Sequence, residues 1–408
     1  MKIRKILLFV LCFLLLATPA FAMPRDADET DIAEPQQENA ENGGGILKEL
    51  PGIVINGQGA ILLEAETGKV IYEKDADVLR EPASITKVMS LLLVFEALEA
   101  GDIALTDIVT APPEAKKIGG STIFLEENEQ MTVEELLRGA VVNSANDATY
   151  TLACHVAGSE EAFVLRMNDR AKELGMTNTR FTNSTGAFKD GNVAHCSTAR
   201  DVAIMSRELL LHKQVFGYTS IWMDYLRNGE TLLANTNKLI RTYDGANGLK
   251  TGPTETAGYC VSASAKRGGV TYIAVVLGAK SDKDRFADAA KLLDFAFANY
   301  TVVNAESAIA LPPVAVSLSK SGYAAVRLGG QTKFLLPKAE AKNVTAELKL
   351  NAGITAPLRA GDVLGTVTLR NDSGAVVGTA NVTAAQDCPK ATLTEVLSRL
   401  FLSLLGKK

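Results

Sequence analysis

Glu81-Pro82-Ala83-Ser84-Ile85-Thr86-Lys87, running on into Val88-Met89-Ser90-Leu91-Leu92-Leu93-Val94-Phe95-Glu96-Ala97-Leu98, is the stretch around which the rest of the chain is organised. Its second part is apolar on nearly every face and predicts a helix buried all round. Pro82 stands just ahead, where a missing N–H costs nothing, and Gly101 ends the helix. Ser84 is then a hydroxyl at the N-terminal tip of a buried helix, with Lys87 one turn on, on the same face. A lysine held in a water-poor place is disfavoured as a cation, so its pKa falls and it becomes a base near neutral pH. A serine within reach of such a base is an activated nucleophile, and the helix end points N–H groups at any oxyanion formed there. The S-x-x-K pattern alone is short. It recurs at Ser317-Leu318-Ser319-Lys320, in a polar, loop-like stretch with no buried helix behind it.

With 408 residues the chain has room for two domains and a large core. Met1–Ala22 reads as a secretory signal peptide: Lys2, Arg4 and Lys5 lead, Ile6–Leu16 is apolar, and Ala20-Phe21-Ala22 is a small-x-small cleavage site. The apolar run is shorter than the roughly 20 residues that span a bilayer. The protein is therefore expected outside the cytoplasmic membrane. Residues 23–48 are acidic, lack apolar periodicity and read as a disordered linker. The formal net charge is −5, and no basic stripe or basic-aromatic interleaving suggests nucleic acid. Beyond the leader the cysteines are Cys154, Cys196, Cys260 and Cys388, none in a C-x-x-C pair, and they read as unpaired thiols, with one disulfide of unassigned pairing as the alternative. No metal site and no cofactor are expected. His155, His195 and His212 lack any Ser-His-Asp context and read as structural or surface residues.

In chain order, Gly59–Ala65 and Lys69–Glu73 read as a hairpin closed at Glu66-Thr67-Gly68. Asp107–Lys117 and Glu126–Glu129 read as polar connections. Thr132-Val133-Glu134-Glu135 opens a helix with a capping-box pattern. Further helices are expected over Ala148–Ala157, Ser159–Leu174 and from Ser197 to Leu211, with a loop-rich Met176–Asn192 between. Gly248–Gly278 reads as three antiparallel strands, and Asp282–Tyr300 as a closing amphipathic helix. Strands, then helices, then strands and a helix predict an α+β domain with helices packed on an antiparallel sheet built from both ends, residues 49–301. Arg285 is expected on the surface of the closing helix, with the carboxylate pocket within its reach as the alternative. Residues 302–388 alternate in short stretches between turns, a small all-β domain with no catalytic residue. In residues 389–408, Leu393, Val396, Leu397, Leu400, Phe401 and Leu404 form one apolar stripe on a helix too short to span a bilayer. With Lys407 and Lys408 it reads as an in-plane membrane anchor rather than a helix docked on a partner.

Ser84-x-x-Lys87, Ser144-Ala145-Asn146 and Lys250-Thr251-Gly252 occur in that order, each at an element boundary. They form the S-x-x-K, S-x-N, K-T-G set of penicillin-interacting serine acyl enzymes. Glu81–Met89, Glu134–Asp147, Gly175–Asp201 and Asn247–Ala279 resemble the low-molecular-weight penicillin-binding proteins, and more narrowly the D-alanyl-D-alanine carboxypeptidases of the S11 type. The resemblance covers most of the chain after Leu50, and the β domain and terminal helix match that family's layout.

The resemblance implies a β-lactamase/transpeptidase-like fold and β-lactam antibiotics as inhibitors. It also implies attachment to the outer face of the cytoplasmic membrane. Ser84 would attack the penultimate D-Ala carbonyl of a peptidoglycan stem peptide, and Lys87 would take its proton. Ser144 would relay a proton to the leaving D-Ala, and Asn146 would orient Lys87 and substrate. Lys250 and Thr251 would hold the terminal carboxylate, with Gly252 letting substrate lie along the strand. One departure stands out. The residue after K-T-G, which in the family donates a backbone N–H to the oxyanion, is Pro253, which has none. A β-lactamase would need a deacylating Glu in an E-x-x-x-N pattern, which is absent between Ser144 and Lys250. A D,D-endopeptidase or a low-activity penicillin-binding wall module remains as an alternative.

Overall fold

A computed structural model of the chain describes residues 45–187 and 194–404. The expected leader and nearly all of the acidic linker lie outside the described residues.

The first strands, β1 (Gly59–Glu64) and β2 (Val70–Lys74), form the expected antiparallel hairpin. A 3₁₀ turn over Ala83–Thr86 then runs straight into α1 (Lys87–Ala100), capped by Gly101 at φ 76°. Every residue from Lys87 to Phe95 is buried, as the uniformly apolar sequence requires. The α-helix begins at Lys87 rather than at Ser84, because the entering turn is tightened to i→i+3 bonding.

Strands β3 (Ile108–Thr110) and β4 (Gln130–Thr132) pair across what the sequence reads as polar connection. Three residues a side are too few to show an alternation. Thr132 and Glu135 form the expected capping box on α2 (Val133–Val142). Helices α3 (Asn146–Ala157), α4 (Glu160–Glu173) and α5 (Ala199–Leu209) follow, α4 and α5 capped by the Ser159 and Thr198 side chains. After the one-turn α6 (Phe216–Thr219) comes a second hairpin, β5 (Met223–Leu226) and β6 (Thr231–Ala234), which the sequence reading did not anticipate. One-turn α7 (Leu239–Thr242) leads to β7 (Ala246–Thr254), β8 (Gly258–Arg267), β9 (Val270–Ala279) and the closing helix α8 (Asp282–Asn299).

These strands make a five-stranded antiparallel sheet in the order β2-β1-β9-β8-β7, so the two ends of the domain meet at β1 and β9. Side chains alternate between its faces. Ile61, Leu63, Ile273, Val275 and Leu277 face a core shared with α1 and α5. Ala60, Leu62, Tyr272, Ala274 and Val276 face α8 through Ala289, Leu292 and Leu293. Both faces are covered, which is why β8 and β9 read as nearly continuous apolar runs. Strands β2 and β7 are the two edges of the sheet.

Strand β10 (Tyr300–Asn304) and the single turn α9 (Ala305–Ala308) lead into the β-rich part. It contains β11 (Val314–Ala315), β12 (Tyr323–Ala324), β13 (Val326–Gly329), β14 (Lys333–Pro337), β15 (Thr345–Leu350), β16 (Val363–Arg370) and β17 (Val376–Ala384). Four of these pair as β13-β17-β16-β15, over a core of Leu328, Phe334, Leu336, Val367, Leu369 and Val382. The last helix, α10 (Leu393–Leu404), sets its polar stripe against this part: Lys320 is 2.9 Å from Glu395 and shares a small cavity with Thr394, Glu395 and Ser398. Leu393, Leu397 and Phe401 are exposed. Among the described residues no helix is long and apolar enough to cross a membrane, and Cys154, Cys196, Cys260 and Cys388 are free thiols.

Candidate active site

All seven residues singled out in the three motifs converge on one cleft of about 630 Å³. Its floor is the tip of α1, one wall is the α2–α3 junction, and the other is the edge strand β7. Ser84, Ser144, Asn146 and Thr251 line it directly.

Ser84 sits in the 3₁₀ turn and projects into the cleft, while Lys87 is fully buried behind it. The Lys87 Nζ lies 3.0 Å from Ser84 Oγ, 2.5 Å from Asn146 Oδ1 and 2.8 Å from the Thr185 carbonyl oxygen. Burial holds the Lys87 pKa well below that of a free lysine; the nearby Lys250 charge adds to this, and Asp147 opposes it. A neutral amine has a lone pair. In its neutral form, which the lowered pKa favours, the amine would have that lone pair free for the Ser84 hydroxyl at 3.0 Å and two hydrogens for Asn146 and Thr185.

Ser144 occupies the break between α2 and α3 at φ 60°, a left-handed conformation that turns its hydroxyl toward β7. Lys250, 1% exposed, donates to Ser144 Oγ at 2.7 Å and to the Thr251 carbonyl at 3.1 Å. Asn146 starts α3, and its amide donates to the Gly119 carbonyl at 2.6 Å. The adjacent Asp147 carboxylate accepts from the Ile123 and Leu125 N–H groups at 3.0–3.1 Å and pins the loop Lys117–Leu125 over this wall. Thr251 donates to Thr236 Oγ1 at 2.8 Å.

Gly252 is where β7 passes the turn that carries Ser84. A β-carbon there would lie 2.7 Å from the Ser84 nitrogen and 3.0 Å from that of Ile85, so only glycine fits. Pro253 follows on the cleft side of an edge strand, where a missing N–H costs the sheet no bond.

Arg285 corrects the sequence reading. It is 4% exposed, not a surface residue of α8, and it lines the cleft. Its guanidinium donates to the Cys260 carbonyl at 3.0 Å and pairs with Asp282. Position 285 lies near the start of an amphipathic helix. Periodicity shows such a residue facing inward or outward, but not that the inward side is a cleft. Desolvation, and secondarily the Arg285 charge, bring the Lys250 pKa down to about 7. Lys250 and Arg285 thus form a cationic end beside Thr251 and Thr236, suited to a carboxylate. Thr185, Thr236 and the Gly119–Ser121 loop were not foreseen as site residues. Only turn signals, Asn183–Gly186 and Gly119-Gly120, mark two of these segments in the sequence.

His195 is fully buried behind the turn that carries Ser84, and burial takes its pKa down to about 3. His155 faces Asp107 at 3.7 Å and His212 faces Glu99 at 2.9 Å. Neither lines the cleft. Among the described residues no group of three or more His, Cys, Asp or Glu side chains could hold a metal ion. The second S-x-x-K, Ser317–Lys320, lies in the β-rich part, where Ser317 bridges Thr355 and Lys320 pairs with Glu395.

Comparison with known proteins agrees with this geometry. Residues 48–281 match the D-alanyl-D-alanine carboxypeptidase family, peptidase S11. Residues 300–390 match the C-terminal domain of penicillin-binding protein 5. The D-alanyl-D-alanine carboxypeptidase DacF of Bacillus subtilis is 42% identical over 347 residues, covering 83% of this chain and 88% of that protein. Penicillin binding protein 5 of Haemophilus influenzae superposes with a TM-score of 0.72 at 30% identity, over 84% of this chain and 100% of that structure. Penicillin-binding protein D2 of Listeria monocytogenes in its ampicillin-bound form superposes with a TM-score of 0.55 at 31% identity, over 60% of this chain and 100% of that structure. Sequence, fold and cleft agree, and the chain belongs to the S11 family of serine-type D-alanyl-D-alanine carboxypeptidases.

Proposed function

We propose that this carboxypeptidase removes the terminal D-Ala of peptidoglycan stem peptides through an acyl-enzyme on Ser84. The observation that carries the reading is the pairing of two lysines with two serines across one cleft: Lys87 at 3.0 Å from Ser84, and Lys250 at 2.7 Å from Ser144. Neutral Lys87 takes the Ser84 proton as Oγ attacks the penultimate D-Ala carbonyl carbon. The oxyanion forms against the Ser84 N–H. Ser144, held by Lys250, passes a proton to the departing D-Ala nitrogen as the C–N bond breaks and is reprotonated by the Lys87 ammonium, which returns Lys87 to its neutral form. Water then hydrolyses the ester, with Lys87 again the base, and frees Ser84. Lys250, Arg285 and the Thr251 hydroxyl receive the terminal carboxylate, and Gly252 lets the peptide lie along β7. Asn146 holds the Lys87 amine and meets the substrate backbone. A β-lactam, with its carboxylate and strained carbonyl, is handled the same way but leaves the ester in place.

The same reading assigns residues 1–22 to secretion, 23–48 to a linker, 49–301 to catalysis, 302–388 to a β-rich spacer and 389–408 to an in-plane anchor on the outer face of the cytoplasmic membrane. The outward apolar stripe of α10, with its polar stripe turned onto Lys320, supports the last of these. Release of D-Ala from a soluble peptide ending in D-Ala-D-Ala tests the function. The wild type releases it and Ser84→Ala does not; equal release by both would refute the assignment.

A further inference from the structure

A chain of hydrogen bonds runs from a buried histidine to the peptide plane that carries the nucleophile. His195 Nδ1 accepts from the Thr182 N–H at 3.0 Å. That bond places the ring proton on Nε2, which lies 2.8 Å from Thr86 Oγ1 and donates to it. Thr86 Oγ1 in turn donates to the Ala83 carbonyl oxygen at 2.8 Å. His195 and Thr86 are both 0% exposed. Phe181 stacks edge-on against the imidazole at 5.6 Å and fixes its plane. With a pKa of about 3 the ring is neutral at every working pH, so the direction of the chain does not reverse.

The end of this chain matters because Ala83 C=O and Ser84 N–H belong to one peptide unit. That unit is planar and trans, so the two groups point in opposite directions. Holding the carbonyl down toward Thr86 aims the Ser84 N–H up into the cleft. The conformation is not one Ala83 adopts freely: its φ is 48°, in the left-handed region. Gly186 closes the other side, where a β-carbon would lie 1.9 Å from the Ala83 oxygen and 2.5 Å from Thr86 Oγ1. The Ser84 N–H carries unusual weight in this chain, because Pro253 offers no N–H from β7.

We propose that His195 and Thr86 are positioning residues for the oxyanion donor: together they lock the Ala83–Ser84 peptide plane so that the Ser84 N–H meets the developing negative charge. Neither touches substrate. The inference rests on the reading of Ser84 as the nucleophile. It predicts a loss confined to the step in which charge develops, since a ground-state carbonyl gains little from that donor.

The test is single-turnover acylation by benzylpenicillin, resolved into the binding constant K and the acylation rate k2. It runs alongside the affinity of a boronic acid whose tetrahedral Ser84 adduct places an oxygen at the oxyanion position. Thr86→Val keeps the shape and removes the hydroxyl, whereas Thr86→Ser keeps the hydroxyl. His195→Leu removes the donor, whereas His195→Gln can accept from Thr182 and donate to Thr86. Thr86→Val and His195→Leu are expected to lower k2 at least about tenfold and weaken the boronic acid to a similar degree, with K within about twofold. Thr86→Ser and His195→Gln are expected to stay within about threefold of wild type on both measures. Wild-type k2 in Thr86→Val, or equal losses in Val and Ser, would overturn the proposal. So would K and k2 falling together. Ser84→Ala in the same assay separates the two ideas. Persistent labelling there overturns the assignment of Ser84 itself. Labelling confined to Ser84, with an unaffected Thr86→Val, overturns only the positioning role.

Discussion

Gly252 and Ser84 approach so closely that a single methyl group would bring β7 into collision with the nucleophile turn: a β-carbon on Gly252 lies 2.7 Å from the Ser84 nitrogen. The obstructing atoms are backbone, and the turn is braced from behind, so neither side can yield cheaply. Gly252→Ala is expected to lower the second-order rate of penicillin acylation by about 10²-fold or more, as a misplaced reactive group does. Stopped-flow acylation measures it, and an unchanged rate would show that β7 does not set the cleft width.

Lys250 is buried at the carboxylate end with a pKa brought down to about 7, by desolvation first and Arg285 second. The free enzyme therefore loses this cation as pH rises through about 7, and kcat/KM for a peptide with a free carboxylate should fall on that limb. On the proposed mechanism the acidic limb is that of Lys87, which has to be neutral to act as base and whose pKa is lowered. Bound carboxylate stabilises the Lys250 charge, so the alkaline limb of kcat should lie at higher pH than that of kcat/KM. Arg285→Gln removes the neighbouring cation and should move the kcat/KM limb upward while raising KM. Stability follows the same shift. The unfolded chain keeps the Lys250 proton up to about 10.4, so between about 7 and that value the unfolded state binds more protons and stability rises with pH. Full pH profiles of activity and stability for the wild type and Arg285→Gln check each point; an alkaline limb unmoved by Arg285→Gln would contradict this electrostatic account.

Pro253 removes a backbone donor from the rim of the oxyanion site. If the Ser84 N–H acts alone there, Pro253→Ala restores a second donor and should raise the acylation rate about tenfold, or toward the 10² that one such donor is worth elsewhere. Acylation kinetics of the two proteins side by side decide it. No gain would mean that Thr254 or another group already supplies the second bond.

The terminal helix makes a prediction independent of catalysis. Leu397 and Phe401 lie on the exposed face of α10, away from Glu395, which pairs with Lys320. Leu397→Glu with Phe401→Glu should release the protein from vesicles containing anionic lipid, with D-Ala release from a soluble peptide unchanged. Vesicle cosedimentation measures it, and undiminished binding would place the membrane contact elsewhere.

Much of this architecture is legible in the chain. The buried helix behind Ser84 shows in an unbroken apolar run, the capping box at Thr132 in its spacing, and the sheet in the paired runs at Gly59 and Val270. The three motifs gave the cleft's main residues: Ser84 and Asn146 fall where helices begin, whereas Lys250-Thr251-Gly252 lies within the edge strand β7 rather than at its boundary. Other features stayed hidden for physical reasons. Arg285 looks like any charged residue on an amphipathic helix, since what makes its inner side a cleft is β7, far away in sequence. The β5–β6 hairpin is held by Arg227, which donates to Glu129 at 2.7 Å and to the Ile123 carbonyl at 2.9 Å, and a single such residue leaves no pattern. The role of His195 depends on the plane of a peptide bond more than a hundred residues away. No local spacing records that.

The central claim is that Ser84 is the group acylated. Reaction with a fluorescent penicillin, followed by proteolysis and mass spectrometry of the labelled peptide, tests it most directly. The adduct is expected on Ser84 alone, with no label in Ser84→Ala. An adduct on Ser144, Ser317 or any other residue, or undiminished labelling of Ser84→Ala, would contradict it.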